Sequence, residues 1–447
     1  MIGAASDLPP PRSAWVPVDR LMLIRLLYLA VYGAMPLMNA FGSLVYESRG
    51  FAASGVGWLM AVPPLCTLVL APPVATFAET RNLQTPLIIL CGVLSAIAVV
   101  GLTNSTWHPL IIACAVAFGA SSRPATGMID EHAMAVIGPS RKADWGGFRV
   151  FGAYGWAACS MLISVIGGHY GWGAASAVYV AGFGVGLWCI YQTPVERGAP
   201  GTHHYGDVLR RLAGRPRVFA FFVGVSVMGV GSTLIGTYLF LYLQTLGATP
   251  ALFGFCVIFT VAVEIPLFRN SAAVYARFTD AQLLAMAMLA WAIRTLGYSL
   301  LSNPWYVLAL EPLHGLTFGL TWLSGMRFFP SAFPKSFSNS SISLLYAGQQ
   351  GIGPILGNVV GGYVFVALGP RLMYRCAALL FFAVAVAFYA VYERLPAISI
   401  EDVENGHDSD DKAAAAAVVV ADADEAGGTA ALIARRDELD AADDPSL

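Results

Sequence analysis

Long apolar runs dominate the chain. Stretches of about twenty mostly apolar residues fill roughly 21–45, 54–77, 85–103, 108–129, 146–166 and 171–193, and after a polar gap 217–243, 252–273, 281–300, 304–326, 340–363 and 370–392. A helix of that length crosses the hydrocarbon core of a bilayer. Lipid offers no partner to backbone N–H and C=O groups, and a helix satisfies them internally. The runs are too long for strands and lack two-residue alternation. Only 12% of the residues are charged and 57% are hydrophobic. A soluble domain carries about 25% charge, so a chain this apolar cannot cover its own surface in water. The expectation is an all-α membrane protein of about twelve transmembrane helices.

Lys and Arg orient these helices. With the N-terminus inside, fifteen basic residues fall on the inner side, and only Arg49 and Arg371 lie in outer loops. This bias predicts that both termini face the cytosol, in a plasma membrane or an endomembrane. No cleavable leader is expected, since Arg12 and Arg20 precede no apolar region ending in a cleavage site. Residues 1–20 read as a cytosolic N-terminus and 21–193 as a six-helix bundle. A Pro/Gly-opened, basic cytosolic loop follows over 194–216, then a second bundle over 217–393 and a tail over 394–447. From Pro396 the net charge is −11, against +9 for the remainder. The tail is poor in large apolar residues, so it is expected to be disordered and available to a cytosolic partner. The two halves look alike at an offset near 195: Gly167-Gly168 answers Gly361-Gly362, and Gly152 answers Gly348. Parallel repeats of six spans are a recurring plan for alternating access.

Several stretches resemble the major facilitator superfamily. After the second span, Phe77-Ala78-Glu79-Thr80-Arg81 looks like a degenerate GxxxDRxGRR loop, with Glu in place of Asp and the trailing basic residues missing. From Asp130 the chain runs into Trp145-Gly146-Gly147-Phe148-Arg149-Val150-Phe151-Gly152-Ala153-Tyr154-Gly155-Trp156. That stretch resembles the branch holding lactose permease-like and nucleoside–proton symporter-like carriers, together with the group called major facilitator superfamily domain-containing protein six. Glu264-Ile265-Pro266, Arg294, Glu311 to Phe318 and Gly351-Ile352-Gly353 fit the same group. The resemblance covers about 20–393. It implies the major facilitator fold, two six-helix pseudo-repeats, and sugar- or nucleoside-like solutes.

Charges inside apolar runs are the informative positions, because each costs about 2.5–3.5 kcal/mol at mid-membrane and so faces a partner or a cavity. At 1.5 Å per residue, Arg294 in span nine and Glu311 in span ten fall at roughly one depth below the outer edge. His314 lies three residues beyond Glu311 on the same face, and Glu264 lies near mid-membrane. These four are read as one descending polar ladder for proton coupling, with a static ion pair or solute recognition alone as the alternatives. Gln349 and Gln350 join them as solute candidates. Gly353, Gly357 and Gly361, with Gly152 and Gly155, are read as close helix contacts where the halves slide, or as ordinary tight packing. Glu79, Arg81, Asp130 and Arg149 are assigned to the cytosolic gate, the last two flanking the loop between spans four and five.

The seven Cys are scattered through apolar runs and form no metal spacing with His. No Gly-Lys pair marks a phosphate loop, no HExxH occurs, and no nucleic-acid module is visible. Neither metal nor cofactor is expected. The reading is a secondary active transporter of a small polar organic solute, working by alternating access as a proton-coupled symporter. Its rival is a non-transporting receptor or scaffold on the same fold, whose mark would be a dry central path.

Overall fold

The computed structural model describes residues 19–138, 145–195, 208, 210, 212, 214–333 and 338–396. The expectations for residues 1–18, for most of the central loop and for the tail beyond 396 lie outside them. Every regular element among the described residues is helical. Span one is Arg20–Ala34, Pro36–Asn39 and Gly42–Ser48; span two is Ala53–Val69 and Ala71–Thr80. Spans three to seven are Gln84–Asn104, His108–Ile137, Trp145–Tyr170, Trp172–Gln192 and Pro216–Thr245. Span eight is Pro250–Arg269 with Ser271–Arg277, and span nine is Asp280–Ser299. Span ten runs from Pro304–Ala309 through a π-turn, Gly315–Gly319, into Leu320–Ser331. Spans eleven and twelve begin with Ser338–Tyr346 and the π-turn Ala347–Ile352 and end in Gly353–Tyr392.

Length and composition alone qualify eight described helices to cross a membrane, or nine if the bent pair of span two is one crossing. Three further facts complete the twelve. Ser341–Tyr392 holds 52 residues, about 78 Å of helix, which is far more than one crossing needs. Gly369 breaks it at φ 75°, ψ 163°. Arg294 interrupts the apolar run of span nine, and span ten contains no single long helix. Proline accounts for two other breaks. Pro36 lacks the N–H that would carry span one past Ala34. Span two bends by 42° between Pro63-Pro64 and Pro72-Pro73.

The two halves repeat in their turns. Gly50 and Gly247 close the turns after spans one and seven, and Gly171 and Gly369 those after spans five and eleven, all at φ between 75° and 86°. Only glycine adopts that region at no steric cost. Inside the first half, span one packs on five and six, and three on four. Inside the second, seven packs on eleven and twelve, and nine on twelve. Between halves, two meets eleven and five meets eight.

The glycine stripe lies elsewhere than the sliding-contact reading places it. A Cβ at Gly357 would come 2.6 Å from Thr233 Oγ1 and 3.0 Å from Val230 O, and one at Gly361 would meet Leu234 and Tyr238. Gly353 backs onto Ser226 and Gly229. All three face span seven, inside their own half. Gly155 likewise faces Leu29 and Gly33 of span one, and Gly152 faces Tyr32. The surface between halves uses the neighbouring faces. A Cβ at Gly362 would come 2.8 Å from Ala53 O, and Gly57 fits against Asn358. Asn358 Nδ2 donates to Met60 O at 3.0 Å, and Trp58 Nε1 donates to Tyr363 OH at 3.1 Å. Ser164 donates to Pro250 O, and Phe41 stacks on Phe240 with ring centroids 5.7 Å apart.

These ties lie toward the side of the bundle away from the central linker. On the linker side the halves part. No residue from 258 to 280 is buried, although this segment ends span eight. Span two likewise ends in residues 71–83, where only Ala78 is buried.

Gly357→Leu is expected to lower the thermal unfolding midpoint, since overpacking against the backbone of span seven costs about 1–3 kcal/mol. Gly362→Leu is expected to leave the midpoint nearer to wild type and to wedge the halves apart on the far side. In a Cys376→Ser background, it should raise labelling of a cysteine placed at Ser54 by a membrane-impermeant maleimide. The reverse pattern would contradict the assignment of the two faces.

Candidate functional site

Spans nine and ten bring a guanidinium and a carboxylate together where neither can reach water. Arg294 is fully buried and Glu311 is 2% exposed. Arg294 lies one turn before Tyr298 on a regular helix, so both side chains share a face. Glu311 sits between the 3-10 turn and the π-turn of span ten, where Pro312 follows it. One guanidinium Nη donates to Glu311 Oε2 at 2.8 Å, and Nε donates to Tyr298 OH at 2.7 Å. Tyr298 OH donates in turn to Glu311 Oε1 at 2.8 Å. The other Nη reaches Thr317 Oγ1 at 3.3 Å and His314 Nδ1 at 3.0 Å. Both carboxylate oxygens and all three guanidinium nitrogens are thereby engaged. A buried ion pair is tolerable in apolar surroundings when its remaining hydrogen-bonding groups are satisfied in this way.

His314 links this closed set to the space between the halves. Its Nε2 lies 2.9 Å from Glu264 Oε1, and the two side chains are 27% and 21% exposed. Arginine can only donate, so Nδ1 facing it must accept. Nε2, facing the carboxylate, is then placed to donate to Glu264, an arrangement assigned from the hydrogen-bond geometry. The π-turn begins at the next residue. Such turns widen a helix locally and are frequent at functional sites.

An aromatic stripe descends from the same histidine. His314 stacks on Phe318 at 5.5 Å between ring centroids, Phe318 meets Trp322 at 5.7 Å, and Trp322 meets Tyr346 at 5.1 Å. Residues 314, 318 and 322 recur every four positions and share one face. Tyr346 lies within electrostatic reach of Asp130 and Arg149 on the other half. Asp130 and Arg149 approach to 3.7 Å, each about a third exposed. Tyr32 OH donates to Asp130 at 3.2 Å, and the Arg149 guanidinium sits 3.8 Å over the Tyr32 ring. Span four continues to Ile137, so Asp130 stands within the helix instead of flanking a loop.

The remaining sequence candidates stand apart from this centre. Gln349 is buried and donates to Ser232 on span seven at 3.1 Å, within its own half. Gln350 is half-buried in the π-turn of span eleven. Glu79 is half-buried at the linker-side end of span two, and Arg81 is exposed there. Tyr298 and Thr317 belong to the centre and are absent from the sequence reading. The available signal was their spacing, Tyr298 four residues after Arg294 and Thr317 three after His314.

Two six-span halves with buried charge in their membrane interior define a transporter of the major facilitator type, an integral multi-pass membrane protein. The chain belongs to the MFS_1 like family, whose pattern matches residues 21–376. It is 24% identical over 345 residues to a maltose permease of Geobacillus stearothermophilus, covering 76% of this chain and 85% of that one. It is 22% identical over 208 residues to a mouse major facilitator superfamily domain-containing protein 6-like, covering 46% of this chain and 35% of that one. Among solved structures, the nucleoside transporter NupG superposes with a TM-score of 0.71 at 14% identity, covering 83% of this chain and 98% of that one. An auto-inhibited peptide transporter of the POT family gives 0.66 at 12% identity, covering 85% and 98%. At these identities the structural likeness establishes the fold.

Breaking the buried pair on one side is expected to cost about 3–5 kcal/mol. Arg294→Gln and Glu311→Gln should each lower folded yield in membranes, and the double variant should recover much of it. Fluorescence-detected size-exclusion yields of the three variants check this. Additive losses would show that the two residues do not support one another.

Proposed function

We propose that the chain is a proton-coupled symporter of a small polar organic solute. The observation carrying this reading is the continuous line from Glu264 through His314 and Arg294 to Glu311. One end of that line meets the open space between the halves, and the other is sealed. Arg294 supplies the counter-charge of the Glu311 carboxylate. When Arg294 withdraws, Glu311 loses its counter-charge in an apolar setting and its protonated form is favoured. The same withdrawal frees Nδ1 of His314, which cannot take a proton while a guanidinium N–H points at it. Movement of one side chain thus uncovers two groups that a proton can then satisfy in its place. Spans nine and ten belong to one half, so rocking of that half against the other supplies the displacement.

In this arrangement the halves are tied on the far side and parted on the linker side. The linker side is cytosolic by the distribution of Lys and Arg, so the state corresponds to inward opening. Asp130, Arg149 and Tyr32 on one wall and Phe318, Trp322 and Tyr346 on the other suit a ring-shaped solute. Aromatic faces cover its apolar side, and the charged groups fix its polar substituents. A sugar-like solute is further supported by the likeness to a maltose permease. The partial exposure of His314 and Glu264 weighs against the scaffold reading, which requires a dry path.

Proteoliposomes holding the purified chain should accumulate a solute from a panel of sugars, nucleosides and small organic acids when an inward proton gradient is imposed. Glu264→Gln and His314→Gln should abolish accumulation while retaining solute exchange without a gradient. Accumulation indifferent to the proton gradient would refute the coupling. Exchange of no solute by the folded protein would refute the carrier itself.

A further inference from the structure

A second guanidinium stands inside the membrane in the first half, half-buried, and the ion pairs described so far do not involve it. Arg123 sits on span four, fifteen residues from its far-side start at His108, about 22 Å along the helix and near its middle. It lines a small cavity of about 10 Å³ with Asn39, Ser122, Phe118, Tyr179 and Phe183. One Nη donates to Asn39 Oδ1 at 3.2 Å. Among the described residues, its buried Nε has no hydrogen-bond partner, and the same holds for Ser122 Oγ. Ser122 itself is 7% exposed. The ionisable groups that bear on Arg123 are Tyr179 and Cys66, neither of them anionic at neutral pH. Asp130, two turns away, is already held by Arg149 and Tyr32.

The rest of the helix shows which way this group opens. Between Ser121 and Asp130, the residues that escape burial are Arg123, Thr126, Gly127 and Asp130. Their spacing of three and four places them on one face. A Cβ at Gly127 would meet nothing within 4 Å. The face therefore borders open space, and it carries the Asp130–Arg149 pair at its linker-side end. Arg123 stands deeper on the same face. Asn39 reaches it because Pro36 breaks span one, leaving a short helix that ends at Asn39. A lone cation at this depth is costly unless an anion joins it, and among the described residues the polar groups beside it, Asn39 and Ser122, present neutral dipoles.

We propose that Arg123, with Asn39 and Ser122, anchors a carboxylate of the transported solute. This rests on the carrier reading and adds to it that the solute is an organic acid. The cavity beside Arg123 has room for about one water-sized group, and it lies against the open face of span four. The unpaired Nε–H and the Nη groups form the fork that recognises carboxylates in two-point fashion, and the Ser122 hydroxyl is a further donor. The body of the solute then extends along the open face toward Asp130 and Arg149.

The test uses the full chain in proteoliposomes and two matched pairs of probes, glucuronate against glucose and lactate against 1,2-propanediol, with sodium chloride as the control. At least one acid should raise the thermal midpoint and exchange across the membrane, with its neutral counterpart about ten-fold weaker. Arg123→Gln should erase that preference, and Arg123→Lys should keep part of it. Asn39→Asp supplies an internal carboxylate. It should hold the unliganded midpoint at or above wild type while losing the response to the acid. Several outcomes would overturn the proposal: no acid surpassing its neutral counterpart, a preference unchanged in Arg123→Gln, or chloride alone reproducing the stabilisation. Exchange of the neutral probes as fast as the acids, by wild type and Arg123→Gln alike, would overturn it and leave the carrier reading standing.

Discussion

A guanidinium and a carboxylate buried together between spans nine and ten impose the arrangement of everything near them. Neither charge is tolerable alone in an apolar interior, so each needs the other and a full set of hydrogen bonds. Tyr298 serves both partners, accepting from Arg294 and donating to Glu311. Thr317 takes one remaining N–H. The last connection goes to His314, and this one leaves the sealed set, because the far side of the imidazole meets Glu264 at the edge of the open space. The irregular backbone of span ten follows from the same demand. A 3-10 turn, a proline and a π-turn within sixteen residues place Glu311, His314 and Thr317 around one guanidinium.

The small residues fall into two groups, those that pack spans within one half and those that stand between the halves. Gly353, Gly357 and Gly361 let spans seven and eleven meet closely within one half, and Gly155 does the same for spans one and five. Such contacts make each half a firm body. The halves meet through other residues, chiefly Gly57, Asn358 and Gly362 on one seam and Ser164, Gly168 and Pro250 on the other. Gly168 and Gly362, which correspond in the sequence repeat, both stand on these seams. Few hydrogen bonds cross them, so parting them sacrifices little and leaves the interior of each half intact.

Much of the centre was legible because helices are stiff rulers. Counting 1.5 Å per residue from the ends of two adjacent spans put Arg294 and Glu311 at one depth, and they meet at 2.8 Å. Helix faces were less legible. Gly357 and Gly362 lie on one helix and look alike in sequence, and only the neighbours decide which faces the other half. Tyr298 and Thr317 carry no charge to mark them inside an apolar run. Span four is longer than its apolar stretch because its cavity-facing side is polar, so Asp130 looked like the edge of a loop. Arg123 and Asn39 lie 84 positions apart, and their meeting depends on a break at Pro36 whose geometry no local pattern specifies.

Coupled movement of a proton with the solute is the central claim, and the proton itself can be followed. Proteoliposomes carrying the protein are suspended in weakly buffered medium with a pH-sensitive dye outside, and a transported solute is added. Symport predicts that the medium becomes more alkaline as protons enter with the solute, and that the Arg294→Gln, Glu311→Gln double variant shows no such change. Entry of solute into wild-type proteoliposomes with the external pH unchanged would contradict it.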